Sequence, residues 1–515
     1  HTAWIYDNLN RITSITDPFN KTVGYGYDDD GKRTSITYPA PVNKTISYQY
    51  NTLDQLEHVL DGSTHLANYS YDITGRLSGA ALGNGVTSTP GYDLSGQLTS
   101  LTYHKGSVQY AAYSYHYNLV GNRDQVQENL YYPHFTFLPA ILNAGEGEQM
   151  QSSGALTEES DDLSESAPAE AYPAPDSESL TQPETQENDP ALPENPYPAP
   201  EESPAGDVTS FFQKAWDFLV SLFNASTPTV SAHSELTGYP APNSGGGSLP
   251  ASTQVSDYGY DALNRLTGAT YSDGQDYSYT YDKVGNRTSQ TIGSATRVYQ
   301  YDAADRLTNA GGVSFSWDDN GNLLNDGVYA YSYDFANRLT AINGQGSSFS
   351  FGYDGLGNRY QQIANGQTQT YTLDLAGDLS QVIFDGSFSY YYGLGRISQQ
   401  KNGVSDYFLT DTLGSVRQIA NSNGNITYGQ AFDPFGNPLG WSGQGGSSYG
   451  YAGEWSDGNG LQYLRARYYS PSTERFISKD PFPGLLTQPS SLTPYVYALN
   501  SPVLLTDPSG ENPLL

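Results

Sequence analysis

The C-terminal half of the chain offers few residue types for catalysis. The sequence contains no Cys, and all seven His residues lie at or before His233. A Ser–His or Cys–His pair therefore cannot form within the C-terminal region. Thiolate metal sites are excluded, and the scattered His residues show no ligand spacing, so we expect no metal and no cofactor. Carboxylates, arginines and hydroxyls are the groups left for chemistry there.

Five carboxylates precede a proline, and each has two interpretations. They belong to Asp17, Asp189, Asp433, Asp480 and Asp507. An Asp at such a place commonly begins a turn, because its carboxylate accepts hydrogen bonds from backbone N–H groups two residues on. We expect at least three of the five to be turns only. For Asp480 and Asp507, a turn and a catalytic role both stay open.

A repeated phrase of about 20 residues must position these side chains. It reads aromatic, Asp or Asn, two or three spacers that often include Gly or Asn, then Arg and Leu, Ile or Thr. Examples are Tyr6-Asp7 to Arg11, Tyr71-Asp72 to Arg76, Tyr260-Asp261 to Arg265, Tyr281-Asp282 to Arg287 and Tyr353-Asp354 to Arg359. The step from one aromatic to the next is mostly 20 or 21 residues and twice 16.

The residue types of one repeat predict a hairpin. Tyr277, Tyr279 and Tyr281 alternate with small polar residues, which places the three rings on one face of a strand. The Asp then begins a turn and Gly or Asn takes the positive φ. The Arg opens the next strand, where it can stack on a Tyr and pair with an Asp. Hairpins in series predict an all-β fold with one long antiparallel sheet.

Residues 139–250 interrupt the repeats. Residues 145–205 hold 16 Asp and Glu and ten Pro but no Lys or Arg. Such a composition cannot bury enough apolar area to offset its ordering entropy, so we predict a disordered acidic insert. Within it, apolar residues between Asp207 and Asn224 recur at helical spacing and predict one amphipathic helix at about 208–224. This helix either docks on the body or serves as a membrane-surface or partner-binding segment, and the near absence of basic residues disfavours the membrane.

Charge and composition exclude several functions. A net charge of −32 argues against nucleic-acid binding, which needs clustered Lys and Arg. No run of about 18 apolar residues is present, so we expect no helical membrane span. The 45 Tyr and 54 Gly, with 37% hydrophobic residues, are typical of sheets with extensive amphipathic surface rather than of a solid globular core. Because His1 already lies next to a repeat, we expect the chain to begin inside a longer protein.

A different pattern begins near Asp411. Its most distinctive elements, in order, are Arg467-Tyr468-Tyr469, Arg475-Phe476, Asp480-Pro481, Tyr495-Val496-Tyr497 with Asn500, and Asp507-Pro508-Ser509-Gly510. This series resembles the RHS repeat-associated core domain, which ends the shell of bacterial RHS polymorphic toxins and of the C component of insecticidal Tc toxins. The upstream repeats are similar to the YD repeats of the same proteins and of the teneurin shell.

The resemblance implies a sheet that spirals into a hollow shell around a C-terminal toxic domain, with the core domain plugging one end. It also implies a cut just after the Asp-Pro-x-Gly motif, which releases the toxin. Only five residues follow Gly510, and Glu511 stands where the family usually has an apolar residue. The toxic domain, the expected partner, is therefore absent from this chain. A surface glycan and the secretion machinery are further candidate partners of what would be a secreted or cell-surface bacterial protein.

In the family that the chain resembles, an aspartyl-protease-like pair of carboxylates with a nearby arginine is the proposed cleavage site. The matching positions are Asp480 and Asp507. Arg467 is the expected supporting cation, with Arg475 as the second choice. Two carboxylates in one site hold a single proton between them. The ionised one can activate water and the protonated one can polarise the scissile carbonyl, so any enzymatic activity would be a single self-cleavage.

Two other interpretations stay open. The aromatic-rich sheet faces could bind carbohydrate or another cell without any cleavage, or the chain could be a degenerate fragment without activity. Under the favoured interpretation the chain divides into YD repeats at 1–138, the acidic insert at 139–250, YD repeats at 251–410, the RHS core domain at 411–510 and a tail at 511–515.

Overall fold

The computed structural model describes residues 2–131, 251–443, 445–487 and 489–511. In these ranges the regular structure is β-strand, and no helix is long and apolar enough to cross a membrane. Three short 3₁₀ segments are present, at Tyr451–Gly453, Pro489–Leu492 and Ala498–Asn500. The all-β prediction is confirmed. The predicted acidic insert and its helix at 208–224 lie outside the described residues.

The first sheet of the described chain has 19 strands, and each strand pairs antiparallel with the strands before and after it in sequence. Its strands are β1 (Ala3–Tyr6), β2 (Ile12–Thr16), β3 (Thr22–Tyr27), β4 (Arg33–Tyr38), β5 (Lys44–Tyr50), β6 (Leu56–Asp61), β7 (Thr64–Tyr71), β8 (Leu77–Leu82), β9 (Thr87–Tyr92), β10 (Leu98–Lys105), β11 (Val108–Tyr117), β12 (Arg123–Tyr131), β13 (Ala251–Tyr260), β14 (Leu266–Tyr271), β15 (Asp276–Tyr281), β16 (Arg287–Ile292), β17 (Ala295–Tyr301), β18 (Leu307–Ala310) and β19 (Val313–Ser314).

Three shorter antiparallel sheets follow in the described chain. The second sheet contains β20 (Ser316–Trp317), β21 (Leu323–Asn325), β22 (Ala330–Tyr333), β23 (Leu339–Gly344), β24 (Ser347–Tyr353), β25 (Arg359–Ala364) and β26 (Gln367–Thr370). The third contains β27 (Thr372–Asp374), β28 (Gln381–Phe384), β29 (Ser389–Tyr392), β30 (Arg396–Lys401), β31 (Val404–Thr410), β32 (Val416–Ala420), β33 (Ile426–Phe432) and β34 (Pro438–Gly443). The fourth contains β35 (Trp455–Ser456), β36 (Gln462–Leu464), β37 (Arg467–Ser470) and β38 (Arg475–Phe476).

The Tyr-Asp phrase marks the turn between two strands. Asp261 follows β13 and accepts a hydrogen bond at Oδ1 from the backbone N–H of Arg265, at 3.0 Å. Arg265 Nη2 lies 2.6 Å from the carboxylate of Asp261, and Nη1 donates to the backbone oxygen of Asp282 in the next repeat, at 2.9 Å. The same guanidinium lies 4.8 Å from the ring centre of Tyr281, whose hydroxyl donates to the carbonyl of Leu266 at 2.6 Å. The predicted roles of Tyr, Asp and Arg in the repeat are confirmed.

The strand alternation buries one sheet face. In β15, Tyr277 and Tyr279 are buried, while Ser278 between them and Thr280 after them are exposed, as predicted. A large core forms where strands of the first and third sheets face each other. There the Tyr38 hydroxyl donates to the backbone oxygen of Tyr390 at 2.7 Å. Aromatic and aliphatic side chains therefore fill the space between these two sheets.

Candidate functional site

Buried polar contacts hold residues 411–510, which we call the C-terminal segment, against distant repeats. Nη1 of Arg359, in β25, lies 2.5 Å from Oδ2 of Asp457. Both side chains are almost fully buried, since that of Arg359 is 2% exposed and that of Asp457 is 0% exposed. Arg475 Nη2 donates to Oδ1 of Asn286 at 3.1 Å and to the backbone oxygen of Asp305 at 2.9 Å. The structure thus places Arg475 on the repeat turns, where it anchors the segment.

The β36–β37 hairpin positions Arg467. Leu464 pairs with Arg467 across the hairpin, and Arg465 in the tight turn has a positive φ of 58°. Arg467 is therefore the first residue of β37, and its side chain is 2% exposed. Its guanidinium lies 3.5 Å from the ring centre of Phe476 in β38, so packing on an aromatic face fixes its orientation.

The structure brings Asp480 and Asp507 to one nitrogen of this guanidinium. Nη2 of Arg467 lies 2.7 Å from Oδ2 of Asp480 and 3.5 Å from Oδ2 of Asp507. The side chain of Asp480 is 13% exposed and that of Asp507 is 2% exposed. Three residues that the resemblance selected, separated by up to 40 positions, therefore form one buried cluster.

The two carboxylates differ in their hydrogen-bond donors. Oδ1 of Asp507 accepts from the Ser509 hydroxyl at 3.0 Å, from the Gly510 N–H at 2.9 Å and from the Glu511 N–H at 3.2 Å. Oδ1 of Asp480 accepts from the N–H of Phe482 at 2.8 Å. More donors favour the ionised form, so Asp507 is the better candidate for the anion of the pair.

Burial dominates the electrostatics of the cluster. It raises the pKa of Asp480 to about 6, against the opposing effect of Arg467, and the charges of Asp507 and Glu511 raise it further. Burial also raises the pKa of Asp507, while Arg467 and the hydrogen bonds from Ser509 and the loop backbone act in the opposite direction. Asp480 therefore changes its protonation state in mildly acidic solution.

Asp507 begins a short loop, residues 507–511, which we call the terminal loop. Three successive residues of the β36–β37 hairpin donate hydrogen bonds to three successive carbonyl oxygens of this loop. The pairs are Arg465 Nη1 to Pro508 (2.7 Å), Ala466 N to Ser509 (3.1 Å) and Arg467 Nε to Gly510. The hairpin therefore forms a hydrogen bond with the carbonyl of every residue between Asp507 and Glu511.

Gly510 occupies a position that only glycine fits. Its φ is +73°, and a β-carbon there would collide with the carbonyl oxygen of Leu464 and lie 2.9 Å from the backbone nitrogen of Arg467. The backbone of the terminal loop can therefore approach the hairpin closely enough for the Gly510 carbonyl to meet Arg467.

The Arg467 contact is more direct than the resemblance implied. Arg467 was expected to support the carboxylates, with a protonated carboxyl polarising the scissile carbonyl. In the structure Arg467 Nε itself donates to the Gly510 carbonyl. The contact of Arg465 with Pro508 was missed altogether, although the Arg465-Ala466-Arg467 sequence was its one visible signal.

The other Asp-Pro dipeptides are turns or lie outside the described residues. Asp17 accepts at Oδ1 from the N–H of Phe19 and Lys21, and Asp433 accepts from that of Phe435. Both match the turn interpretation, and Asp189 lies outside the described ranges. In the part of the chain that the structure describes, no three His, Asp or Glu side chains come together as ligands for a metal ion.

Family models match both blocks of repeats. A model of the teneurin YD-shell matches residues 248–503, and a model of the RHS repeat matches residues 6–42. The chain belongs to the RHS/YD-repeat family. The first match includes Arg467 and Asp480, and it ends four residues before Asp507.

Two curated relatives are named a tRNA nuclease and a toxin subunit. The tRNA3(Ser)-specific nuclease WapA of Bacillus spizizenii is 33% identical over 271 residues, which cover 49% of this chain and 12% of WapA. The toxin subunit YenC1 of Yersinia entomophaga is 25% identical over 300 residues, which cover 50% of this chain and 29% of YenC1. The chain thus spans less than a third of either relative.

One solved structure resembles nearly the whole chain. It is the Photorhabdus luminescens Tc holotoxin pore with a mutation in TccC3, which matches with a TM-score of 0.60 and 16% identity and covers 96% of this chain and 21% of that chain. At this identity, the likeness shows the fold.

Proposed function

We propose that this chain closes one end of an RHS/YD-repeat shell that encloses and delivers a C-terminal toxic domain, and that it cuts its own backbone between Gly510 and Glu511. One observation carries the proposal. The Gly510 carbonyl accepts a hydrogen bond from Arg467, and the same guanidinium holds both Asp480 and Asp507. A peptide bond, a cation and two carboxylates thus meet in one buried place.

Arg467 polarises the carbonyl. Its Nε–H donates to the Gly510 oxygen, where negative charge develops as a nucleophile adds to the carbonyl carbon. A fixed donor in a buried site stabilises that charge at little cost in reorganisation. Asp480, on Nη2 of the same guanidinium, keeps Arg467 in position and supplies a carboxyl that titrates near pH 6.

Asp507 acts as the base. Its ionised carboxylate takes a proton from a water molecule while the water oxygen bonds to the Gly510 carbon. Because Oδ1 of Asp507 already accepts from the Glu511 N–H at 3.2 Å, it lies next to the leaving nitrogen. The proton then passes to this nitrogen and the C–N bond breaks. The products are a carboxyl group on Gly510 and a free amine on Glu511. While Asp480 is protonated it carries no negative charge, so the positive charge of Arg467 is left to stabilise the oxyanion intermediate.

The delivery role rests on the relatives and on the packing of the C-terminal residues against the repeats. WapA is named a tRNA nuclease and YenC1 a toxin subunit, and this chain matches only part of each. A plug must be solid, and buried aromatic clusters join the C-terminal segment to the repeats around it. We place the protein outside the cell, as a secreted or surface-attached shell.

A reporter domain fused after Leu515 tests this function. In the unsubstituted protein we expect a denaturing gel to show the reporter released. Asp507→Asn should block release. Asp433→Asn is the matched control, because Asp433 also precedes Pro but its carboxylate accepts from Phe435 and Asn437 of its own turn. An uncut fusion that binds a glycan array would favour the alternative of a surface-binding module.

A further inference from the structure

Arg465 touches neither carboxylate of the cluster, yet it contacts three parts of the structure. Its Nη1 donates to the Pro508 carbonyl at 2.7 Å and lies 2.5 Å from Oε2 of Glu454. Its Nε donates to the backbone oxygen of Ser380 at 3.3 Å. Ser380 immediately precedes β28, so one side chain connects the terminal loop to the third sheet.

Glu454 holds the side chain of Arg465 in place through an ion pair. The Glu454 side chain is 9% exposed and that of Arg465 is 20% exposed. The Glu454 backbone N–H donates to the Tyr451 carbonyl at 3.1 Å, and Arg396 of β30 donates from Nη1 to the carbonyl of neighbouring Gly453 at 2.7 Å. The carboxylate that holds Arg465 is therefore itself attached to the third sheet.

The Pro508 contact controls the spacing within the site. Pro508 lies between Asp507, the proposed base, and the Gly510 carbonyl, the proposed target. Asp507 keeps its N–H donors from Gly510 and Glu511 only while the loop stays folded back on itself. A displacement of about 1 Å at a reacting group can reduce a rate about 100-fold.

We propose that Arg465, held by Glu454, is a positioning residue for the self-cleavage and makes the cut depend on docking of the terminal loop against the third sheet. This inference rests on the proposed function. Its consequence is that a chain whose third sheet is not yet folded cannot cut itself, because the loop then lacks its attachment.

The test compares cleavage rates of reporter fusions after dilution from denaturant into buffers of pH 4 to 8. Arg465→Met combined with Glu454→Met removes both charges together, since either alone would leave a buried unpaired charge. We expect cleavage to slow about 100-fold while the melting temperature stays within a few degrees. The control is Arg338→Met with Asp334→Met, because Arg338 makes the same two kinds of contact, to Asp334 at 2.7 Å and to the Asp354 carbonyl at 2.9 Å, on a repeat turn.

A second variant separates positioning from folding. Arg465→Lys keeps a charge beside Glu454 but lacks the planar fork that reaches several acceptors at once. We expect cleavage to be at least tenfold slower and the acid limb of the pH–rate profile to shift to higher pH. The shift follows because a loosened loop withdraws N–H donors from Asp507 and thereby raises the pKa of Asp507. Parental rates and an unshifted profile in both variants would overturn the inference alone. A parent that does not cut while folded would overturn it together with the proposed function.

Discussion

Arg467 lies 2.7 Å from Asp480 through the same Nη2 that lies 3.5 Å from Asp507. Asp480 thus has a cation beside it, yet its pKa is raised to about 6 because burial outweighs the attraction of Arg467. A carboxyl with such a pKa holds its proton in mildly acidic solution and loses it near neutrality. The charge of the cluster therefore changes with pH in this range.

Self-cleavage should slow as the pH rises above about 6. The proposed reaction needs Asp480 protonated and Asp507 ionised, and the protonated fraction of Asp480 falls about tenfold per pH unit well above its pKa. Rates of release from the reporter fusion between pH 4 and 8 measure this directly. A rate that climbs steadily through pH 8 would contradict the assigned proton on Asp480.

Gly510→Ala should abolish cleavage while leaving the fold intact. The new β-carbon would collide with the Leu464 carbonyl, so the loop must lift away from Arg467. We expect at least a 100-fold loss of rate, measured by gel release. Gly274→Ala is the control, since Gly274 also has a positive φ, of 89°, but a β-carbon there meets no atom within 4 Å. Equal rates in the two variants would refute the close approach.

Asp433→Asn should stabilise the protein at neutral pH and not at acidic pH. Burial raises the pKa of Asp433 from 3.8 to about 6. A raised pKa means that the folded state binds the proton more tightly, so the stability it contributes is complete below 3.8 and is lost as the pH rises through 6. The gain in unfolding free energy of the variant over the parent should grow by up to about 3 kcal/mol from pH 4 to 7.5.

Denaturant melts of the two proteins at both pH values test this effect. The variant loses the hydrogen bond from the Asn437 amide to the second oxygen of Asp433, at 2.8 Å. This loss lowers the free energy of unfolding of the variant by the same amount at every pH, so it does not change how that free energy depends on pH. If the free energy of unfolding changes equally with pH in parent and variant, Asp433 titrates normally.

Asp457→Ala should destabilise the attachment of the C-terminal segment. The substitution leaves the Arg359 guanidinium, 2% exposed, without its carboxylate. Breaking one partner of such a pair costs about 3 to 5 kcal/mol, whereas replacing both by apolar residues is often neutral. We therefore expect Arg359→Met with Asp457→Leu to recover most of the melting temperature that Asp457→Ala loses. If Asp457→Ala melts like the parent, the pair does not hold the segment.

Local features were predictable and long-range ones were not. The Tyr281, Asp282 and Arg287 phrase fixes a strand end, a turn and a strand start within seven residues, so its structure follows from spacing alone. The meeting of Asp480, Asp507 and Arg467 was predicted only through the resemblance. The role of Arg465 and the position of Arg475 depend on which sheets face each other, as in the contact of Tyr38 with Tyr390, and no periodicity in the sequence encodes that pairing.

The most direct test is the intact mass of this chain, with and without Asp507→Asn, after incubation at pH 5.5. We predict that the parent loses Glu511–Leu515 and ends at Gly510, while the variant keeps all 515 residues. A folded parent that retains its full mass, or a variant that is cut at the same bond, would contradict it.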